Sequence, residues 1–175
     1  AAAGFRTVTL MAMLGVALLT AACDRAMDAE SAFARGDYDT ALSAWRVRAL
    51  AGDAYAQNFL GVHYQLGLGI GKDPGRALLW FTHAARAGNT DAQRNLGTLY
   101  YRGLGVEQDK VLAYGWVAHS ARQGNAVADA MMTAMTDEVT PNQMRVARDR
   151  VRAQLQHAGT LADIPDVPTL ARQLQ

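Results

Sequence analysis

Between Tyr55 and Ala126 the apolar and small residues follow a helical spacing, and the whole pattern then recurs. Leu60, Gly61 and Tyr64 stand at i, i+1 and i+4, one face of a helix predicted from about Ala56 to Leu66. Gly67 and Gly69 break it, because glycine accepts the positive-φ backbone that ends helices. Asp73 is placed to cap the next helix, and Pro74 to open it, where its missing N–H leaves no bond unmade. Ala77, Trp80 and Ala84 then mark the packed face of a second helix, which stops at Gly88. Shifted by 36 residues, segment 55–90 matches segment 91–126 at 16 of 36 positions. Leu96, Gly97, Tyr100, Gly103, Gly105, Ala113, Trp116 and Gly124 repeat the residues just named. A period of this length is the signature of stacked helical hairpins, each unable to bury its apolar face alone. Gly61 with Ala77, and Gly97 with Ala113, are expected to let paired helices approach closely. Trp80 and Trp116 are expected to fill the space between units.

The flanks carry weaker copies. Gly36-Asp37-Tyr38-Asp39-Thr40-Ala41 leads into a helix with Trp45, Ala49 and Gly52, so 23–54 reads as a degenerate first repeat whose opening helix spans about Arg25 to Arg35. Residues 127–135 read as the first helix of a last, partial unit. Thr140-Pro141-Asn142-Gln143 is a capping box with proline at the first helical position. Met144, Ala147, Val151 and Leu155 form an apolar stripe behind it, and Gly159 stops it, so 127–159 reads as a partial repeat with a capping helix. Residues 160–175, with Pro165 and Pro168, read as a tail.

Spacing of this kind, Ala-x-x-x-Leu-Gly-x-x-Tyr-x-x-Gly-x-Gly continuing through Asp, Ala, Trp and a closing Gly-Asn, resembles the Sel-one-like repeat of the tetratricopeptide superfamily. Ala56 to Asn89 and Ala92 to Asn125 both fit it. The resemblance implies an all-α fold, a short right-handed α-solenoid of helix-turn-helix hairpins, closed here by the C-terminal helix. It also implies that the first helix of each hairpin lines a groove. Laid on that pattern, Tyr55, Asn58, Val62 and Gln65 face the groove from one unit, and Asp91, Arg94, Thr98 and Tyr101 from the next. Amides that pair with backbone and tyrosines with a polar tip suit a peptide or protein loop.

The N-terminal residues have another character. An apolar run from Val8 to Ala22 follows Arg6 and ends at Cys23. It is shorter than the roughly 20 residues a spanning helix needs and reads as a secretory signal or an N-terminal membrane anchor over 1–22. Leu19-Thr20-Ala21-Ala22-Cys23 resembles a bacterial lipobox, although Thr20 stands where leucine is usual. That resemblance implies lipid attachment at Cys23, with each buried methylene of an acyl chain contributing about 0.8 kcal/mol. Two alternatives stay open: Cys23 as an ordinary residue past a cleaved signal, and an uncleaved anchor. The expected place is a bacterial envelope, membrane-anchored, with the repeats in the periplasm.

Charge and composition narrow the chemistry. With 17 basic and 16 acidic side chains the net charge is +1, which argues against nucleic acid as a partner. One cysteine makes neither a disulfide within the chain nor a zinc site. Gly67-Leu68-Gly69-Ile70-Gly71-Lys72 has the glycines of a phosphate loop but follows a helix instead of a strand. His83 and His119 are equivalent positions of neighbouring repeats, too far apart for one metal; His63 and His157 have no partner evident in the sequence. No serine precedes a lysine by three residues, so the nucleophile motif of serine β-lactamases is missing. Arg145, Arg148 and Arg152 share one stripe of the last helix and present a positive edge to an acidic partner or to lipid head groups, unless they are simply a solvated face. No catalytic residue, cofactor, metal or small-molecule substrate is expected. The leading expectation is a non-catalytic scaffold that holds a partner protein of the envelope. A permanently bound subunit of a membrane enzyme complex and, more remotely, a cell-wall enzyme are the alternatives.

Overall fold

Each helix start in the repeats is set by a capping side chain. The computed structural model describes residues 29–156, which form helices α1 (29–34), α2 (Tyr38–Leu50), α3 (Ala54–Leu66), α4 (Pro74–Arg86), α5 (Thr90–Arg102), α6 (Lys110–Arg122), α7 (Ala126–Met135) and α8 (Pro141–Gln156), with a 3-10 turn at Thr136–Glu138 before α8. Asp53 accepts from the Tyr55 and Ala56 N–H groups at 2.9 and 3.2 Å. Asp73 caps α4 through Arg76 N (2.9 Å), Asn89 caps α5 through Ala92 N (2.8 Å), Asp109 caps α6 through Leu112 N (2.8 Å) and Asn125 caps α7 through Ala128 N (2.9 Å). These bonds satisfy donors that a helix leaves open at its first turn. At α8 the Thr140 N–H donates to Gln143 Oε1 at 2.8 Å and Gln143 N–H donates back to Thr140 Oγ1 at 3.3 Å, a reciprocal capping box. The segment 1–22, Cys23, the opening of the first helix, His157, Gly159 and the tail 160–175 lie outside the described residues.

The chain divides into two compact units, 1–44 and 45–175, with the division inside α2. In the first, Phe33 meets Tyr38 edge-on with ring centroids 5.5 Å apart. The second holds the repeats. There α3 packs on α4, α4 on α5 and α5 on α6, while α6 receives both α7 and α8. The structure is all-helical among the described residues, and none of these helices is long and apolar enough to cross a membrane.

Small residues set how closely the helices lie. A Cβ on Gly97 would stand 2.6 Å from Val117 Cγ2 and 3.0 Å from the Ala113 carbonyl, so α5 lies directly on α6. At Gly61 the neighbour differs from the expected Ala77: the Phe81 ring occupies the space, 2.6 Å from where a Cβ would be. Gly105, at φ +70, brings the loop after α5 onto the Pro74 carbonyl, with 2.5 Å left for any Cβ. This contact joins one repeat to the N-terminus of the preceding α4. Trp80 and Trp116 are buried in the second unit, as is His63. His63 does have a partner: its Nδ1–H donates to the Leu68 carbonyl at 2.7 Å and holds the loop that follows α3. Burial lowers its pKa below the ordinary histidine value.

The last helix is docked differently. A Cβ on Gly115 would meet the Ala147 carbonyl at 2.7 Å, so α8 sits on the backbone of α6. Gln154 then joins three helices: its Oε1 accepts from Trp116 Nε1 at 3.0 Å, and its backbone carbonyl accepts from Arg86 Nε and Nη2 at 3.3 and 3.2 Å. Its side chain also bonds the Tyr100 hydroxyl, whose pKa is pushed up by burial and brought partly back by that bond.

Candidate protein-binding surface

The first helices of successive hairpins, α3, α5 and α7, are joined by their own polar side chains. Asn95 Nδ2 on α5 donates to Asn58 Oδ1 on α3 at 3.0 Å. Asn125 Nδ2, at the start of α7, donates to Asp91 Oδ1 on α5 at 3.0 Å. Thr98 Oγ1 lies 3.9 Å from Met131 Sδ on α7 and donates to the Arg94 carbonyl at 3.1 Å. A row of hydrogen bonds therefore runs across the face on which a groove was expected.

That row separates the eight candidate residues into two groups. Asn58 is only 5% exposed and committed to Asn95, so it positions the neighbouring helix and offers little to a partner. Its burial is the main departure from the expectation of an open groove residue. Asp91 is exposed, with Arg94 Nη2 at 3.8 Å on its own helix. Tyr55, 40% exposed, leans edge-on against Trp45 at 5.6 Å and lies tilted to Phe59 at 4.9 Å. Trp45 in turn stacks on Phe59 at 4.6 Å. Tyr55 is thus a rigid aromatic with its outer edge in water. Val62, Gln65, Arg94 and Thr98 are half-buried.

Tyr101 belongs to a charged cluster that sequence reasoning missed. Its hydroxyl donates to Glu138 Oε1 at 2.6 Å, and Lys110 Nζ donates to Glu138 Oε2 at 2.6 Å. The ammonium also stands over the Tyr101 ring, 5.4 Å from its centroid. Glu138 is held below the usual carboxylate range by Lys110 and Tyr101, while Tyr101 and Lys110 are both raised by Glu138. Glu138 sits in the 3-10 turn, 37 residues from Tyr101 in sequence, outside any repeat position. The only signal for it was the acidic pair Asp137-Glu138 before the Thr140 cap. Asn95 was equally hidden, because its equivalent in the previous repeat is Phe59.

Among the described residues no three His, Cys, Asp or Glu side chains converge as a metal site. What the surface presents chemically is hydrogen-bonding groups, aromatic edges, the cations Arg94 and Lys110 and the carboxylates Asp91 and Glu138.

Comparison with known proteins agrees with this architecture. Residues 54–89 and 90–125 each match the Sel1 repeat. A protective antigen of uropathogenic Escherichia coli with an SLR fold superposes with a TM-score of 0.71 at 26% identity, covering 88% of this chain and 33% of that one. A Sel1 repeat protein from Oxalobacter formigenes superposes with a TM-score of 0.59 at 31% identity, covering 63% of this chain and 45% of that one. The chain thus spans a third and under half of the length of these solved relatives. No curated protein matches it.

Proposed function

We propose that this chain, which carries two Sel1 repeats, is a non-catalytic scaffold that holds a partner protein against the face of α3 and α5. Sel1 repeats are in general protein-interaction scaffolds. The observation that carries the reading is the cross-linked row of first helices. The Asn58–Asn95 and Asp91–Asn125 bonds fix the spacing of the hairpins. Tyr55, Val62, Gln65 and Arg94 are left accessible on a surface already ordered before any partner arrives. Pre-ordering lowers the entropy lost on binding, and a rigid tyrosine is a low-cost anchor.

The partner in this reading is a protein of a bacterial envelope, and the chain is held at the membrane through a lipidated Cys23. Support comes from the apolar run of residues 8–22 and the Leu19-Thr20-Ala21-Ala22-Cys23 order. The experiment is purification of the tagged full-length protein in mild detergent, read by mass spectrometry. The expected result is one envelope protein in near-equal amount and an N-terminal peptide beginning at acylated Cys23. A chain that comes out alone contradicts scaffolding, and an unmodified Cys23 contradicts the lipid anchor; the two outcomes are independent.

A further inference from the structure

A separate feature lies away from the α3–α5 face, between the C-terminal ends of α6 and α8. There a cleft of about 410 Å³ is lined by His119 and Arg122 of α6 and by Arg148, Arg152 and Leu155 of α8. Three guanidinium groups border it and no carboxylate does. The acid on α8 and the one that caps α6 are engaged elsewhere, Asp149 with Arg145 at 3.9 Å and Asp109 with Arg150 at 2.6 Å. This sorts the arginines of α8. Arg145 and Arg150 pair within the protein, whereas Arg148 and Arg152, four residues apart on one helix face, point their charge at the same space as Arg122. Arg122 Nη2 donates to His119 Nδ1 at 3.4 Å, both residues lining the cleft.

Like charges gathered at a concave surface raise the local potential and draw anions to it. Guanidinium groups bind carboxylates through two parallel N–H···O bonds, a match that ammonium groups lack. Leu155 adds an apolar wall beside the charges. A cavity of this volume falls within the range of ligand pockets, roughly 300–1,000 Å³. A bilayer surface is flat and would meet only the rim. We infer that this cleft is a second docking site, one that receives a short acidic segment of a protein partner through Arg122, Arg148 and Arg152. It does not depend on the α3–α5 face and would stand if that reading fell.

The test uses the full-length protein in neutral detergent at physiological ionic strength, where long-range attraction is already screened. The probe is a fluorescein-labelled tetraglutamate peptide, with tetraglutamine as control, read by anisotropy. The expected result is saturable binding of tetraglutamate alone, weakened about tenfold or more by Arg148→Gln with Arg152→Gln, as expected for two lost charge-assisted contacts. Arg35→Gln with Arg102→Gln removes the same charge from exposed positions outside the cleft and should leave binding unchanged. An equal loss in that pair would reduce the effect to net charge and overturn the site. Absence of tetraglutamate binding also overturns it. So does flotation on phosphatidylglycerol vesicles that Arg148→Gln with Arg152→Gln abolishes while peptide binding is absent, since the cleft would then serve a membrane.

Discussion

The two segments that match the Sel1 repeat, 54–89 and 90–125, and the segment that follows them differ in which residues hold their helices together. Within 54–125 the helices meet through glycine and alanine at close range and through buried Trp80 and Trp116. Beyond 125, α7 buries only Ala128 and Met135, and α8 only Ala147 and Val151. To this packing, and to the close approach of Gly115 to Ala147, the C-terminal segment adds directed bonds: Gln154 to Trp116, Arg86 to the Gln154 carbonyl, Arg150 to Asp109, Lys110 and Tyr101 to Glu138. The close contacts of the repeats use positions that both copies share, Gly61 and Gly97, Trp80 and Trp116, beside the Asn58–Asn95 bond that they do not share. The directed bonds of the C-terminal segment use Glu138, Arg150 and Gln154, which stand outside the 36-residue period. Loss of packing should therefore lower global stability, whereas loss of a directed bond should loosen α8 locally.

The largest effect is expected at Trp80, which is 1% exposed. Trp80→Ala should cost about 3–5 kcal/mol in a denaturant melt, as large core truncations do. A cost near zero would erase the distinction between the two regions. Next comes Gly97→Ala. Its new methyl would press on Val117 and the Ala113 carbonyl, costing about 1–3 kcal/mol by overpacking, less up to ~1 kcal/mol regained in helix propensity. A stabilised variant would mean that α5 and α6 separate easily.

Gln154→Ala sharpens the other half of the comparison. It leaves the Trp116 indole N–H without its acceptor, a loss of about 1–3 kcal/mol for a buried donor. Because α8 lies at the end of the stack, the low end of that range is expected, with faster hydrogen exchange confined to α8. Exchange that rises equally through α3 to α6 would show that the C-terminal helix belongs to the same cooperative unit as the repeats.

The smallest effect is a pH dependence that distinguishes one repeat from the next. His63 and the half-buried His119 both have pKa values below 6.5, lowered first by burial and, for His119, also by Arg122. The unfolded chain then binds protons more readily than the folded one. Stability should therefore fall as pH drops through 6.5 and level off below the folded values. Leu99 occupies the position equivalent to His63 in the second repeat. His63→Leu should remove part of the slope, leaving the share of His119. An unchanged slope in melts between neutral and mildly acidic pH would assign it elsewhere.

Much of this fold was legible because repetition amplifies weak signals. The 36-residue shift, the Asp73 cap, the Pro74 start and the Thr140–Gln143 box are local features, and each appears where the sequence places it. What escaped notice lies between non-equivalent residues. Asn58 resembles a surface amide until Asn95, which replaces the Phe59 of the first repeat, reaches across to it. Gly115 has no glycine equivalent in the preceding repeat, so nothing announced that α8 would lie on it. Glu138 and Gln154 sit outside the period altogether. A self-comparison finds what the units share, and the candidate surface depends on how they differ.

The measurement closest to the central claim compares partner capture by the full-length protein with capture by a Val62→Ala, Gln65→Ala, Arg94→Ala variant, alongside their melts. The account predicts that the variant loses its partner while melting within a few degrees of the parent. Capture that survives the three substitutions would contradict a binding face on α3 and α5.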